Sequence, residues 1–160
     1  MAKAEQKTNV MRLLDAAGIA YVHREYDAAD GAKSGVDAAA AMGLPVECVF
    51  KTLVTRGAGK EYYVFVIPAT AELDLKKAAK AAGEKSIEMI RQAELLPLTG
   101  YVHGGCSPVG MKKQFPTFFA EDVILVDEMT VSAGKIGQQV SLPPDELIAY
   151  VGGTVADLVK

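Results

Sequence analysis

The sequence has no tryptophan and contains only two cysteines and two histidines. Cys48 and Cys106 lie far apart without CxxC spacing, and neither His23 nor His103 has a second ligand at the spacing of a zinc site. We therefore expect two free thiols and no bound metal. We also expect no cofactor.

Long hydrophobic runs are absent as well. No window approaches the roughly 18 uninterrupted apolar residues from which a membrane-spanning helix is recognised. The first residues, 1–7, are polar and mixed in charge, without the apolar centre of a secretory signal. We therefore expect a cytoplasmic protein that has no membrane partner.

The sequence also lacks an excess of basic charge and a rich set of aromatic residues. The formal net charge is -3, and aromatic residues make up 7% of the chain. These values exclude a uniformly basic nucleic-acid coat and a long row of base-stacking rings, but they allow a local basic patch. Hydrophobic residues at 50% can bury a core, and 160 residues correspond to a single domain, 1–160.

Glycines, prolines and capping residues divide the chain into short helices and strands. Helices are predicted at 8–17, 34–43, 73–82, 91–96 and 143–151. Strands are predicted at 19–26, 49–56, 61–68, 86–89, 117–120, 128–132 and 138–142. Some strands follow each other as hairpins and others are separated by helices. This order indicates an α+β fold, with a mixed, barrel-like β-sheet surrounded by helices.

Lys51 interrupts an apolar strand and shares a face with Val49 and Leu53. An ammonium group on a buried face is costly unless it meets an anion. Lys51 can therefore point into a cleft and hold a phosphate or carboxylate, or polarise an ester. Alternatively, it lies on an exposed face with its stem over apolar neighbours. The strand pattern leaves both interpretations open.

A glycine-rich segment, GGCSPVGMKK, occupies residues 104–113. Glycines allow backbone N–H groups to approach a ligand, and successive N–H groups can form an anion-binding nest. The segment is not a phosphate-binding P-loop, because Met111 stands where that motif has lysine. A binding loop and a long structural turn both fit this pattern.

Two weaker signals accompany this loop. The small-residue turn 132–137 follows a strand, which is common both in binding sites and in hairpins. Ser107 lacks the GxSxG frame of a nucleophile elbow. His103 lies three residues before Cys106, but closeness in a loop does not establish a catalytic pair.

A basic helix face is the last local feature. Lys76, Lys77 and Lys80 occupy the predicted helix 73–82. Such a face can touch a phosphate backbone, and it can equally be a solvated surface.

Four segments together resemble the YbaK/EbsC family of bacterial aminoacyl-tRNA deacylases, which are related to the editing domain inserted in many prolyl-tRNA synthetases. These segments are 50–53 (FKTL), 73–79 (LDLKKAA), 99–110 (TGYVHGGCSPVG) and 131–135 (VSAGK). The resemblance extends over nearly the whole chain. It is closest to the free-standing branch that hydrolyses Cys-tRNA(Pro).

The resemblance implies a substrate in which cysteine is esterified to the terminal ribose of tRNA(Pro), and prolyl-tRNA synthetase as a further partner. Lys51 corresponds to the family's lysine, whose implied catalytic role is to bind the terminal phosphate or sugar and orient the ester. The implied substrate-binding residues are Tyr26, Thr52, Gly104, Gly105, Ser107, Ser132, Ala133 and Gly134.

In the mechanism attributed to this branch, the thiol of the substrate attacks its own carbonyl group, so neither a protein nucleophile nor a metal is required. Backbone N–H groups near Gly104 could stabilise the developing oxyanion. Ser34 stands where some relatives have an aromatic residue, and Ile136 stands where many have arginine. Two alternatives therefore stay open: a deacylase for another small aminoacyl-tRNA (Ala or Ser), and a non-catalytic tRNA- or nucleotide-binding module.

Overall fold

The computed structural model describes residues 7–160. The polar segment 1–7, which carries the expectation that no secretory signal is present, lies outside the described residues except for Lys7. Within 7–160, no helix has both the length and the apolar character needed to span a membrane.

The described residues form five α-helices of eight residues each: α1 (Asn9–Ala16), α2 (Gly35–Met42), α3 (Leu75–Ala82), α4 (Gln92–Thr99) and α5 (Pro144–Val151). Three of them begin at capping side chains. The hydroxyls of Thr8 and Ser34 each accept a hydrogen bond from the N–H three residues later. The carboxylate of Asp74 accepts hydrogen bonds from the N–H groups of Lys76 and Lys77 at the start of α3.

Residues 7–160 also form eight strands: β1 (Val22–Glu25), β2 (Phe50–Gly57), β3 (Tyr62–Pro68), β4 (Ile87–Met89), β5 (Thr117–Ala120), β6 (Met129–Lys135), β7 (Gln138–Leu142) and β8 (Thr154–Ala156). One sheet is antiparallel and has the order β1-β7-β6. The other has the order β4-β2-β3-β5-β8, in which β3, β5 and β8 run parallel. The predicted mixture of helices with parallel and antiparallel strands is confirmed.

The barrel-like closure is not confirmed. Besides the strand pairs within each sheet, one bridge pair between the two sheets, Val49 with Thr130, joins the start of β2 to β6. A closed barrel requires every strand to pair on both sides. In the described part of the chain, the end strands of each sheet pair with one neighbour only. The strands therefore form two sheets that meet at one edge.

Two further elements differ from the sequence prediction. Helix α4 was predicted to stop before Pro97, but it continues to Thr99 and ends at Gly100, whose positive φ of 86° closes the helix. The Thr99 hydroxyl donates to the Leu95 carbonyl at 2.7 Å and supports this last turn. Strand β8 was not predicted, because it has only three residues, of which two are exposed and the third, Ala156, is only partly buried against the smaller core.

The five-stranded sheet has an apolar core on each face. Val64 and Val66 of β3 point into the larger core, and Phe65 and Ile67 point into the smaller one. All four side chains are fully buried. Because β3 is anchored on both faces, it holds its neighbour β2 in a fixed register, with Lys51 opposite Ile67.

Candidate active site

A cavity of about 240 Å³ opens where the two sheets meet. Residues 49–53, at the start of β2, form one wall, and Ser132 of β6 and Gln139 of β7 form another. The glycine-rich loop contributes Gly104 and Cys106. We call this space the Lys51 cavity. The structure thus brings together segments that lie far apart in the sequence.

The cavity contains five of the nine site residues that the sequence indicated. These are Tyr26, Lys51, Thr52, Gly104 and Ser132. The other four do not line it: Gly105, Ser107, Ala133 and Gly134. For these four residues, contact with the substrate stays a prediction, and the cavity lining does not support it.

Three of these four residues make structural contacts away from the cavity. The N–H of Gly105 donates to the Val102 carbonyl at 3.0 Å, so it closes a turn of the loop. The buried hydroxyl of Ser107 accepts from the Val109 N–H at 3.2 Å. Ala133 is fully buried in the larger core. Family glycines and serines can thus be required for loop geometry as well as for substrate contact.

Lys51 is half-buried at the mouth of the cavity. Within residues 7–160 its ammonium group has no ion pair and no hydrogen bond. Its neighbour Thr52 carries a buried hydroxyl oxygen that likewise has no hydrogen-bond partner in this part of the chain. Buried polar groups in folded proteins are nearly always paired. An unpaired hydroxyl on a cavity wall is therefore available to a ligand.

Tyr26 brings a second cation to the cavity. The phenol oxygen of Tyr26 accepts a hydrogen bond from the Lys33 N–H at 3.3 Å. The Lys33 ammonium lies 6.0 Å from the centre of the Tyr26 ring. Two lysines therefore line the cavity, and no aspartate or glutamate of the described residues does so. This charge distribution favours an anionic ligand.

Gln139 is a candidate binding residue that the sequence analysis missed. It is 7% exposed and lies directly across from Ser132 in the β6–β7 ladder. Its side-chain amide can both donate and accept hydrogen bonds at the cavity wall. The signal was present in the sequence, because Gln138 and Gln139 are adjacent in a strand and one of them must face inward.

The glycine-rich loop presents its backbone to the cavity. Gly104 has a φ of +87°, and a Cβ atom there would approach the Ala32 Cβ to 2.5 Å. Both facts require glycine at this position. In the described part of the chain, the N–H groups of Gly104 and Cys106 donate no hydrogen bond, whereas that of Gly105 is occupied. Gly104 and Cys106, which both line the cavity, therefore each have a backbone N–H group that is free for an oxyanion.

The thiol of Cys106 is unsuited to nucleophilic attack. Burial raises the pKa of Cys106 to about 12, so the thiol stays protonated near neutral pH. His103 also lines the cavity, but no hydrogen bond joins its ring to Cys106. Residues 7–160 contain no group of three or more His, Cys, Asp or Glu side chains placed to hold a metal ion.

The two-sheet fold thus carries a lysine-lined cavity beside a glycine loop, and no carboxylate of the described residues lines it, which favours an anionic ligand. The chain belongs to the family of aminoacyl-tRNA editing domains, whose sequence pattern matches residues 29–150. The family assignment made from the sequence is therefore confirmed, and with it the enzyme class of aminoacyl-tRNA deacylases.

Known proteins similar to this chain agree with the assignment. EbsC of Enterococcus faecalis, named as a proposed Cys-tRNA(Pro)/Cys-tRNA(Cys) deacylase, is 42% identical over 98% of this chain and 95% of its own. A solved structure described as a proposed trans-editing enzyme for prolyl-tRNA synthetase is 28% identical. It covers 98% of this chain and 99% of its own, with a TM-score of 0.82. A hypothetical protein, APE2540, is 23% identical over 94% of this chain and 99% of its own. Its TM-score of 0.85 supports the fold alone.

Proposed function

We propose that this protein is a trans-editing enzyme that deacylates mischarged Cys-tRNA(Pro). The observation that carries the proposal is the unpaired Lys51 ammonium at the mouth of a small cavity without carboxylates. Such a site suits the ester at the end of a polyanionic chain. The choice of cysteine and of tRNA(Pro) is supported by the name of the 42% identical relative.

Five residues of the cavity have proposed roles. Lys51 binds the terminal phosphate or ribose and orients the ester. The Thr52 hydroxyl gains the hydrogen bond it lacks when a polar group of the substrate arrives. Tyr26, Ser132 and Gln139 complete the wall around the aminoacyl group.

The protein acts by positioning, and the substrate supplies the nucleophile. The cysteine sulfur forms a bond to its own carbonyl carbon, and the bond from that carbon to the ribose oxygen breaks. A thiolactone leaves, and the thiol proton passes through solvent to the ribose oxygen. The nearby lysines favour the thiolate form of the substrate, and the free N–H groups of Gly104 and Cys106 lie on the wall that would face the oxyanion.

Two features of the site support this scheme over a protein nucleophile. The high pKa of Cys106 keeps its thiol protonated, and no carboxylate of the described residues lines the cavity to act as a general base. Holding the thiol close to its carbonyl supplies effective concentration without either group. A separate editing site is also physically reasonable, because pocket size alone discriminates poorly between small amino acids.

The two departures from the family pattern lie at the edges of this site. Ser34 caps α2 through the bond from the Asp37 N–H. Ile136 packs against the loop, with its Cγ1 3.6 Å from the position of a Gly104 Cβ. Replacing an arginine by Ile136 removes one cation near the loop.

The proposal extends to the whole chain. We assign 1–160 to one editing domain that works in the cytoplasm, where its tRNA substrate is found. It needs no metal or cofactor, because the reaction uses only the thiol of the substrate. Prolyl-tRNA synthetase is the proposed partner that releases the mischarged tRNA.

The test is a deacylation panel with Cys-, Ala-, Ser- and Pro-tRNA(Pro). We expect Cys-tRNA(Pro) to be cleaved fastest. Lys51→Ala should lower kcat/KM by about 100-fold, which corresponds to about 2.7 kcal/mol in the barrier, while the urea midpoint stays unchanged. Lys80→Ala, an exposed lysine on α3, is the matched control and should act like the wild type.

Three outcomes would contradict the proposal. Faster cleavage of Ala- or Ser-tRNA(Pro) would assign the other deacylase specificity. Binding of tRNA without cleavage of any substrate would indicate a non-catalytic module. Full activity in Lys51→Ala would remove the central role of the lysine.

A further inference from the structure

A second groove begins where the Lys51 cavity ends. Lys51 and Leu53, which lie on the same face of β2, line both spaces, so the two adjoin there. The groove has a volume of about 560 Å³ and runs from Lys51 toward the first turn of α3 and the C-terminal Lys160. We call it the Lys76 groove, after the lysine of α3 that lines it.

Two lysine side chains in the Lys76 groove have no charged partner among the described residues. The carboxylate of Asp74 is occupied by two N–H groups of α3. Glu72 pairs with Lys160 at 3.5 Å. Among residues 7–160, neither Lys51 nor Lys76 forms an ion pair or a side-chain hydrogen bond. The groove, although Glu72 and Asp74 also line it, therefore offers two lysine ammonium groups that are free to meet phosphate groups.

The neighbouring lysines of α3 do not share this property. Lys77 donates to Asp157 at 3.0 Å and to the Val159 carbonyl at 2.8 Å, so its charge is already used. Lys80 is exposed but does not line the groove. Of the three lysines that form the basic face of this helix, Lys76 is thus the one that faces the continuation of the site.

Apolar side chains also line the groove. Leu75 is 41% exposed and Met89 is 45% exposed. Both line the groove, and no aromatic residue does. A base can lie against such a surface without strong stacking, and such contact does not discriminate among sequences.

We propose that the Lys76 groove holds the nucleotide that precedes the aminoacylated adenosine at the 3′ end of the tRNA. The proposal rests on the proposed function of the Lys51 cavity. The phosphate that joins the last two nucleotides lies at Lys51, the next phosphate lies at Lys76, and the base between them contacts Leu75 and Met89.

The sizes of the two spaces agree with this division. Pockets that enclose drug-sized ligands usually measure about 300–1,000 Å³. The Lys51 cavity, at about 240 Å³, is below this range and suits the aminoacyl group with its ribose. The Lys76 groove, at about 560 Å³, lies within the range and can take a whole nucleotide.

The experiment compares two substrates that differ only in the part that the groove would hold. Full-length aminoacyl-tRNA carries the preceding nucleotides, whereas aminoacyl-adenosine ends at the terminal nucleoside. Lys76→Glu and Met89→Asp should lower kcat/KM for the tRNA by at least about tenfold, or about 1.4 kcal/mol. Both variants should cleave aminoacyl-adenosine at the rate of the wild type.

Lys80→Glu is the matched control, because it makes the same charge change on the same helix outside the groove. For neither substrate should the kcat/KM of this variant differ from that of the wild type by more than about twofold. Lys76→Glu should also reduce the slope of log kcat/KM against log salt by about 0.7, the value of one phosphate contact on a single strand. Lys80→Glu should leave that slope unchanged.

A direct binding measurement does not depend on turnover. The methyl group of Met89, labelled with carbon-13, should shift in the NMR spectrum when the dinucleotide cytidylyl-adenosine is added. Adenosine alone should not shift it. Absence of a shift at dinucleotide concentrations that perturb the Lys51 cavity would overturn the proposal.

The kinetic outcomes separate the two proposals. If the wild type cleaves neither substrate, the proposed function fails. If the wild type cleaves both but the Lys76 and Met89 variants match Lys80→Glu on tRNA, the groove proposal alone fails. Equal losses of kcat/KM on both substrates would also refute the groove proposal, because they would show that Lys76 and Met89 support the Lys51 cavity itself.

Discussion

The hydroxyl of Tyr101 donates a hydrogen bond to the backbone carbonyl of Val109 and so ties the chain just before the glycine-rich loop to the middle of that loop. Tyr101 is 8% exposed, and burial raises its pKa to about 12. Its ring also lies against Gly134, where a Cβ atom would come within 3.0 Å of the ring. One side chain thus contacts both the loop, which contributes Gly104 and Cys106 to the Lys51 cavity, and Gly134, which lies two residues after the cavity residue Ser132.

Tyr101→Phe tests this arrangement. The substitution keeps the ring but leaves the Val109 carbonyl without its partner in a buried place. We expect the free energy of unfolding to fall by about 1–3 kcal/mol, as measured by urea denaturation. We also expect lower deacylation, because the N–H groups of Gly104 and Cys106 lose their fixed position.

Tyr150→Phe is the control for this change. Tyr150 is 39% exposed on α5, and its hydroxyl has no hydrogen bond within residues 7–160. The Tyr150→Phe variant should have the same free energy of unfolding as the wild type. If Tyr101→Phe were equally stable, the Tyr101–Val109 bond would not hold the loop.

Local signals predicted most of the secondary structure. Thr8 and Ser34 marked helix starts because their hydroxyls cap N–H groups nearby in the chain. Gly43, with a φ of +70°, marked a helix end for an equally local reason. Pro97 made the predicted α4 too short. Proline lacks one N–H donor, but this loss does not end the helix, which continues to Thr99 and is closed by Gly100.

The candidate site was less predictable because it depends on contacts between distant segments. The sequence pattern left the face of Lys51 undecided, and its position at the cavity follows from where β6 and the glycine-rich loop pack. It also did not distinguish Gly104, which lines the cavity, from Gly105, whose N–H closes a turn. The separation of the strands into two sheets, which the described residues join through one bridge pair at Val49, likewise follows from contacts between distant segments.

Thr52→Val should separate stability from activity. The Thr52 hydroxyl oxygen is buried and has no partner among the described residues, so valine removes an unsatisfied polar group of similar shape. We expect the protein to be as stable as the wild type or up to about 1 kcal/mol more stable. Deacylation should fall about tenfold, because the substrate loses a hydrogen bond.

Thr55→Val provides the opposite control on the same strand. The Thr55 hydroxyl donates to the Tyr63 carbonyl at 3.0 Å, and the residue is fully buried. Its loss should destabilise the fold by about 1 kcal/mol and leave turnover per folded molecule intact. Destabilisation by Thr52→Val of the same size would show that its hydroxyl has a structural partner.

Cys106 makes the fold sensitive to alkaline pH. Burial raises the pKa of its thiol from 9.0 to about 12. Above pH 9.0 the unfolded chain releases this proton while the folded chain keeps it, so the free energy of unfolding falls as the pH rises toward about 12. Urea denaturation at a series of pH values should show a shallower fall for Cys106→Ala than for the wild type. Parallel curves would mean that the folded thiol ionises normally.

The identity of the nucleophile can be tested with the same variant near neutral pH. If the substrate's thiol attacks, Cys106→Ala and Cys48→Ala should keep deacylation of Cys-tRNA(Pro) within about tenfold of the wild type, or about 1.4 kcal/mol. Cys106 lines the cavity, so a small loss from altered packing is expected.

Changes to the substrate complete this test. Ser-tRNA(Pro) offers a hydroxyl, which is a much poorer nucleophile than a thiol near neutral pH, and should be cleaved far more slowly. Alkylation of the cysteine on Cys-tRNA(Pro) should stop cleavage while binding persists. A protein nucleophile predicts the reverse: cysteinyl and seryl esters would react alike, and a folded, tRNA-binding Cys106→Ala would be inactive. That pattern would require Cys106 to ionise when substrate binds, with His103 as the nearby base on the same cavity wall.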